Sequence, residues 1–144
     1  MVLKPILKPS VSRDLNSKIA ASFEKLRMYC ENEEFKGYDP YDGLNSRLFQ
    51  SLPIVRRNRL ARLAWIQFFK RSPINFRPIA GVAKDYNPKA MGLFLSGYCQ
   101  LYLADQKQEY LEKIDFFIAE IRKSVSKGYS GACWGYNFDW QARA

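Results

Sequence analysis

The residues best suited to bind and act on a ligand lie in the segment 131–142. Aromatic rings alternate there with amide and carboxylate groups: Trp134, Tyr136, Asn137, Phe138, Asp139 and Trp140. Rings cover the apolar faces of a sugar, and polar tips hydrogen-bond its hydroxyls. We predict that Trp134, Tyr136, Asn137 and Trp140 bind substrate and that Asp139 is a catalytic carboxylate. Packing of the rings in the core remains an equal alternative.

Two further carboxylates, Asp39 and Asp42, lie in a glycine-bearing loop over residues 35–43. If this loop and the aromatic segment meet at one end of the helices, Asp39, Asp42 and Asp139 form an acid-base or hydroxyl-binding group. We predict all three as catalytic candidates. The competing interpretation is turn formation and helix capping, which Asp-Pro and Asp-Gly pairs favour.

Asn75 and Arg77 lie in a loop over residues 72–79 that contains two prolines. We predict that both side chains project into a cavity and bind substrate. Stiffening of the loop explains them as well, because proline fixes its own backbone angle.

Histidine is absent, which excludes Ser-His and Cys-His nucleophile pairs and histidine metal sites. Cys30, Cys99 and Cys133 are far apart, so neither a disulfide framework nor a cysteine metal site is indicated. Cys30 and Cys99 are expected in the core, and the role of Cys133 is left open. We therefore predict no metal and no cofactor.

The net charge of +9 is concentrated in one window, residues 43–84, which contains nine basic residues and no acidic one. The basic residues are Arg47, Arg56, Arg57, Arg59, Arg62, Lys70, Arg71, Arg77 and Lys84. A solvated helix face is the simplest interpretation, and an anionic ligand such as a sugar nucleotide or uronate is the next. Nucleic acid is disfavoured, because the chain has no motif that reads bases.

The composition is that of a folded domain, since 47% of the 144 residues are hydrophobic and 26% are charged. No apolar run reaches the ~18 residues of a membrane span. The first residues also lack the apolar stretch of a signal peptide. We therefore expect a cytoplasmic protein without a membrane span.

Four apolar periodicities predict an all-α fold of antiparallel helical hairpins. The helices are expected over residues 12–33, 55–71, 88–104 and about 107–127, with a short helix over 44–52. Asn87 and Pro88 form a clear start for the third long helix. The second and third long helices are apolar on most faces, whereas the first and fourth are amphipathic. This pattern is typical of concentric helical layers.

Four stretches carry a resemblance to a known family: FKGYDPYDGLN at 35–45, RLAWIQFFKRSPIN at 62–75, YNPKAMGLFLSGY at 86–98 and GYSGACWGYNFDWQAR at 128–143. The chain resembles a family of bacterial proteins, found near surface-polysaccharide genes, that is often filed under the label delta-aminolevulinic acid dehydratase. The resemblance implies an (α/α) toroid whose chain continues beyond the aromatic segment. The labelled activity is not expected, because the sequence shows no β/α alternation, no metal cluster and no Schiff-base lysine pair.

From these observations we expect a flexible N-terminus over residues 1–11 and the N-terminal portion of a toroid over 12–144, truncated at 144. The predicted function is carbohydrate handling in bacterial polysaccharide biosynthesis, with little activity for this chain alone. The complete protein would be a lyase, epimerase or hydrolase acting on a sugar. The expected partners are a sugar or anionic saccharide and the remainder of the toroid. The alternative is a non-enzymatic helical scaffold whose basic face binds an acidic partner.

Overall fold

The computed structural model describes residues 9–139 of the chain. These residues form helices and no strand, so the predicted all-α class is confirmed for them. The chain divides into two compact units, residues 1–35 and residues 36–144. Of the predicted flexible N-terminus, residues 1–8 lie outside the described part, and residues 9–11 are helical.

The first unit contains one long helix, α1, over Pro9–Asn32. It begins three residues before the predicted start at Ser12. Arg27 lies between Glu24 and Glu31 and forms salt bridges of 2.9 Å and 3.0 Å with them, at the spacing that joins neighbours on a helix surface. The apolar residues that recur along this helix at spacings of three and four were predicted to form one stripe. Of these, Leu15, Ile19, Phe23 and Leu26 are exposed, and Cys30 is half-buried.

The second unit contains six further α-helices and one 3-10 helix within the described residues. The 3-10 helix is Asp42–Asn45, and the α-helices are α2 (Arg47–Gln50), α3 (Pro53–Arg57), α4 (Arg59–Arg71), α5 (Arg77–Ala80), α6 (Pro88–Ala104) and α7 (Gln108–Lys123). The prediction of α6 is confirmed at both ends, and the Asn87 side chain caps it by accepting from the N–H of Lys89.

The second long helix predicted over residues 55–71 is wrong in one respect, because the structure breaks it into α3 and α4. Asn58 lies at the break with an extended backbone. Its side-chain oxygen accepts from the N–H groups of Leu60 and Ala61, and so caps a new helix. Asn58 therefore starts a new helix, and the apolar periodicity alone did not reveal it.

Two adjoining clusters of buried side chains hold α2 to α5 around the loop 36–45. Leu44, Phe49 and Ile66 form the first cluster, with Val55 and Trp65 packed against it. Phe69, Ala80 and Val82 form the second, with Tyr38, Trp65 and Phe76 against it. Trp65 joins the two clusters and donates its indole N–H to the carbonyl of Gly43 at 3.0 Å.

The pair of helices α6 and α7 is held by stacked and tilted aromatic rings. Phe117 is fully buried and lies 5.8 Å from the ring centre of Phe94 and 5.4 Å from that of Tyr98. Leu93 and Leu103, also on α6, stay 68% and 72% exposed. The apolar faces of α6 led us to expect that other helices would pack on several sides of it, and the described residues leave some of these faces exposed. The arrangement as a toroid stays a prediction.

The entry to α6 is joined to the loop 36–45 by an isolated antiparallel bridge between Gly37 and Asp85. The N–H of each residue donates to the carbonyl of the other at 3.1 Å. Asp85 lies just before the cap of α6, so this bridge fixes the N-terminal turn of α6 beside the start of the loop. No helix within the described residues is long and apolar enough to cross a membrane.

Candidate functional site

The carboxylate of Asp42 is buried and forms a salt bridge with Arg77. Its Oδ1 accepts from Nε of Arg77 at 2.7 Å, and its Oδ2 accepts from the backbone N–H of Asp39 at 2.9 Å. The two side chains are 8% and 11% exposed. The second nitrogen of the guanidinium, Nη2, donates to the carbonyl of Asp39 at 3.0 Å. Arg77 therefore binds both ends of the Asp39–Asp42 turn.

Burial raises the pKa of Asp42 above its ordinary value, because the ionised carboxylate loses its contact with water. The hydrogen bond and the positive charge of Arg77 oppose this rise. Both carboxylate oxygens of Asp42 accept hydrogen bonds from the protein. Its present contacts stabilise the turn, and they leave it without open access to a ligand.

Arg77 begins the short helix α5, which the sequence analysis treated as part of a loop. The side chain of Asn75 accepts from the backbone N–H of Arg77 at 3.2 Å and so fixes the approach to this helix. The guanidinium carbon lies 5.6 Å and 5.8 Å from the ring centres of Phe69 and Tyr38. These contacts give Asn75 and Arg77 a structural role in the loop, and substrate binding by the two residues stays a prediction.

Asp39 connects the same turn to the start of α6. One carboxylate oxygen accepts from the backbone N–H of Tyr41 at 2.9 Å, which is an Asx turn. The other accepts from the side-chain amide of Asn87 at 3.3 Å. Because Asn87 also caps α6, its amide group links the loop to the first turn of that helix.

The aromatic segment 131–139 is attached to the end of α7 by three hydrogen bonds. The indole N–H of Trp134 donates to the carbonyl of Ile121 at 2.7 Å. The N–H of Gly135 donates to the hydroxyl of Ser126 at 3.1 Å, and the N–H of Ser126 donates to the carbonyl of Cys133 at 2.9 Å. These contacts fix the indole of Trp134 beside α7.

The rings of Tyr136 and Phe138 stack with their centres 5.0 Å apart. These two rings, two residues apart in the chain, therefore lie on the same side of it. Trp134 and Tyr136 are 44% and 59% exposed, so these two rings do not fill the core. Trp140 lies outside the described residues.

Asn45 joins the aspartate loop to the aromatic segment. Its side-chain amide donates to the carbonyl of Asn137 at 3.3 Å, and its side-chain oxygen accepts from the N–H of Asp139 at 3.0 Å. The sequence analysis assigned no role to Asn45. The sequence shows only that an amide side chain stands at the end of the loop. A contact between residues more than ninety positions apart leaves no pattern in the neighbouring sequence from which it could be predicted.

A cleft of about 480 Å³ lies between the first turns of α6 and the aromatic segment. Its walls are formed by Asn87, Pro88, Lys89, Gly92, Ile121, Trp134, Gly135 and Tyr136. Trp134 and Tyr136 form the aromatic wall, and Asn87 and the exposed Lys89 contribute to the opposite wall. This combination of apolar area with few polar groups is typical of small-molecule sites.

Of the predicted site residues, Trp134 and Tyr136 line this cleft. Asp39 is one hydrogen bond away from it through Asn87. Asp42, Asn75 and Arg77 are not among its wall residues and make the internal contacts described above. Asn137 and Asp139 adjoin the cleft in sequence and are held through their backbones by Asn45.

No group of three or more histidine, cysteine, aspartate or glutamate side chains able to hold a metal ion occurs within the described residues. The three cysteines are free thiols and half-buried. Burial raises the pKa of Cys30, which makes this thiol a weaker nucleophile. Comparisons of the chain with models of protein families, with curated proteins and with solved structures gave no match.

Proposed function

We propose that this protein binds a saccharide in the cleft between α6 and the aromatic segment. The observation that carries the proposal is the exposure of Trp134 and Tyr136 on one wall of a cleft whose other wall presents Asn87 and Lys89. A sugar ring has apolar C–H faces and polar hydroxyls, so it needs an aromatic surface and nearby hydrogen-bonding groups.

Lys89 favours an acidic saccharide over a neutral one. Lys89 is exposed and lines the cleft, and the chain carries a net charge of +9. A uronate carboxylate near Lys89 would form a charge-assisted hydrogen bond, which is stronger than a neutral one. This preference agrees with the resemblance to proteins found near surface-polysaccharide genes, which we also retain as a proposal.

If the protein also catalyses a reaction on the bound saccharide, the aspartate carboxylates near the cleft are the candidate acid and base groups. Asp39 is the candidate that the Asn87 hydrogen bond connects to the cleft. Asp139 comes just after the aromatic wall residues in the chain, and its N–H donates to Asn45. The carboxylate of Asp42 accepts from the backbone N–H of Asp39. In a complete toroid, these groups would serve a lyase, epimerase or hydrolase acting on the bound sugar.

Binding of a panel of neutral hexose and uronate oligosaccharides, measured by calorimetry, tests the proposal. Trp134→Ala should weaken binding about tenfold, since ring contacts contribute roughly 0.5–1.5 kcal/mol beyond the area they bury. Lys89→Gln should weaken uronate binding and leave neutral binding unchanged. Tyr129→Ala is the matched control, because Tyr129 is 70% exposed and is not a wall residue of the cleft. Equal binding by Trp134→Ala and the parent chain would refute the proposal.

A second candidate function is a non-enzymatic helical scaffold with an acidic partner. It is favoured by the engagement of Asp39 and Asp42 in internal hydrogen bonds, which gives both carboxylates a structural role. The exposed basic residues of α3 and α4 would then be the binding surface.

A further inference from the structure

Gly92 lies on the wall of the cleft that α6 provides. It falls in the second turn of this helix, which runs over Pro88–Ala104. Apart from proline, glycine is the least favourable residue in a helix interior, because its backbone loses the most freedom there. Gly92 therefore makes α6 less stable than alanine would at the same position.

The packing of the described residues does not require a glycine at this position. A Cβ atom at Gly92 would meet nothing within 4 Å. Two other glycines differ in this respect. A Cβ at Gly43 would lie 3.0 Å from the side chain of Phe69, and Gly81 has a positive φ of 73°. Alanine would fit at residue 92 and would favour the helix, so the reason for glycine lies outside the packing of the fold.

The open space beside Gly92 belongs to the cleft. Pro88, Lys89 and Gly92 all line it, and residues three and four positions apart are neighbours on a helix surface. The Cα–Cβ bond of a helical residue tilts towards the N-terminus of the helix, so a side chain covers the preceding turn. A side chain at residue 92 would therefore extend into the part of the cleft that Pro88 and Lys89 line.

The glycine on the aromatic wall, Gly135, has different surroundings. A Cβ there would lie 3.6 Å from the hydroxyl oxygen of Ser126, which is an ordinary contact distance. Ser126 belongs to the turn after α7 and also accepts from the N–H of Gly135. Of the two glycines among the described wall residues, Gly92 is therefore the one whose Cβ side is open.

We propose that Gly92 determines which saccharides fit the cleft, because the missing side chain lets a sugar ring lie against the backbone of α6 while Trp134 and Tyr136 cover it from the other wall. Glycine is the usual residue where a ligand approaches the backbone closely. This inference rests on the proposed function and adds a residue that sets the size of the ligand. A ring over Gly92 has Lys89 as its neighbour on the helix surface, which suits a uronate carboxylate.

A ligand role and a packing role for Gly92 predict opposite changes in stability. If the glycine makes room for a ligand, Gly92→Ala raises the unfolding temperature and lowers the affinity for saccharide. If it makes room for another part of the protein, the same substitution lowers the unfolding temperature through overpacking. Gly97 is the matched control, because it is also exposed in α6, has nothing within 4 Å of its Cβ and is not a wall residue of the cleft.

Calorimetric titration of the full chain with a galacturonate trisaccharide and with maltotriose, a neutral trisaccharide, tests the inference. Gly92→Ala should weaken binding about threefold and Gly92→Leu at least about tenfold, because the added side chain takes the place of the ring. Gly97→Ala and Gly97→Leu should bind as the parent does. Both alanine variants should raise the midpoint of thermal unfolding by roughly 2–4 °C. Helical circular dichroism verifies that each variant is folded.

The expected result is weaker binding with higher stability in Gly92→Ala, and unchanged binding in the Gly97 variants. Equal binding by Gly92→Leu and the parent would overturn the inference and leave saccharide binding in place. Equal loss in Gly92→Leu and Gly97→Leu would overturn it too, as would a lower unfolding temperature in Gly92→Ala. If the parent chain binds neither trisaccharide, the proposed function fails together with the inference, so the two failures are distinguishable.

Discussion

The loop 36–45 buries the carboxylate of Asp42, whereas the segment 131–139 leaves the rings of Trp134 and Tyr136 exposed. Both regions combine glycine, aromatic rings and aspartate. The difference is Arg77, which provides a buried counter-ion for Asp42 and a donor for the carbonyl of Asp39. The segment 131–139 is instead held by neutral hydrogen bonds to Ile121, Ser126 and Asn45. Similar residue types therefore stabilise the fold in one region and form a cleft wall in the other.

The largest expected effect comes from breaking the buried ion pair of the loop. Arg77→Met leaves the buried Asp42 carboxylate without its counter-ion and should lower the free energy of unfolding by about 3 kcal/mol. Arg77→Met/Asp42→Asn should recover part of that loss, because no unpaired charge remains. Urea denaturation of the parent and the two variants measures this. A loss below about 1 kcal/mol in the single variant would show that the loop does not depend on Arg77.

Paired glycine substitutions compare the packing of the two regions directly. A Cβ atom at Gly43 would lie 3.0 Å from a side-chain atom of the buried Phe69, whereas nothing lies within 4 Å of a Cβ at Gly131. Gly43→Ala should therefore destabilise by about 1–3 kcal/mol through overpacking. Gly131→Ala should change stability by less than about 0.5 kcal/mol. Thermal denaturation of both variants decides this, and equal shifts would contradict the contrast in packing.

A smaller and local effect is expected where Asn45 connects the two regions. Asn45→Ala removes both hydrogen bonds to the backbone of Asn137 and Asp139. The amide of Asp139 should then exchange with deuterium faster, because its acceptor is lost. The amide of Asp42, which donates to the carbonyl of Asp39, should exchange as before and is the internal control. Unchanged exchange at Asp139 would mean that other contacts hold the segment.

The smallest effect concerns pH. The pKa of Asp42 in the folded protein is raised above 3.8, its ordinary value. The contribution of Asp42 to the free energy of unfolding is therefore fully present below the ordinary pKa and is lost as pH rises through the folded pKa. Compared with Asp42→Asn, the parent chain should lose stability as pH rises from about 4, near the ordinary pKa of an aspartate, towards neutrality. A gain over the same interval would show that attraction by Arg77 outweighs burial.

Local chemistry in the sequence was enough to predict α6, because Asn87 and Pro88 are capping signals that need no distant partner. The helical class followed from apolar periodicity for the same reason. The break at Asn58 was missed, since an asparagine in a basic and apolar run gives a weak signal. The partnership of Asp42 with Arg77 was also missed. It joins residues 35 positions apart, and only the packing of α5 against the loop brings them together.

The candidate site was predictable in part. Trp134 and Tyr136 were identified from residue type and spacing, and both line the cleft. The opposite wall was not identified, because Lys89 and Gly92 resemble ordinary helix residues and gain their position from the approach of α7. Asp39, Asp42 and Asp139 remain predicted catalytic residues.

The antiparallel bridge between Gly37 and Asp85 bears on how the proposed saccharide would bind. It fixes the chain two residues before Asn87, so the α6 wall of the cleft is ordered before any ligand arrives. Any loss of chain entropy when the proposed saccharide binds would then fall mainly on the parts of the segment 131–139 that the hydrogen bonds of this segment do not hold. The rate of association should therefore depend on the motion of that segment, and stiffening it should raise affinity without adding a contact.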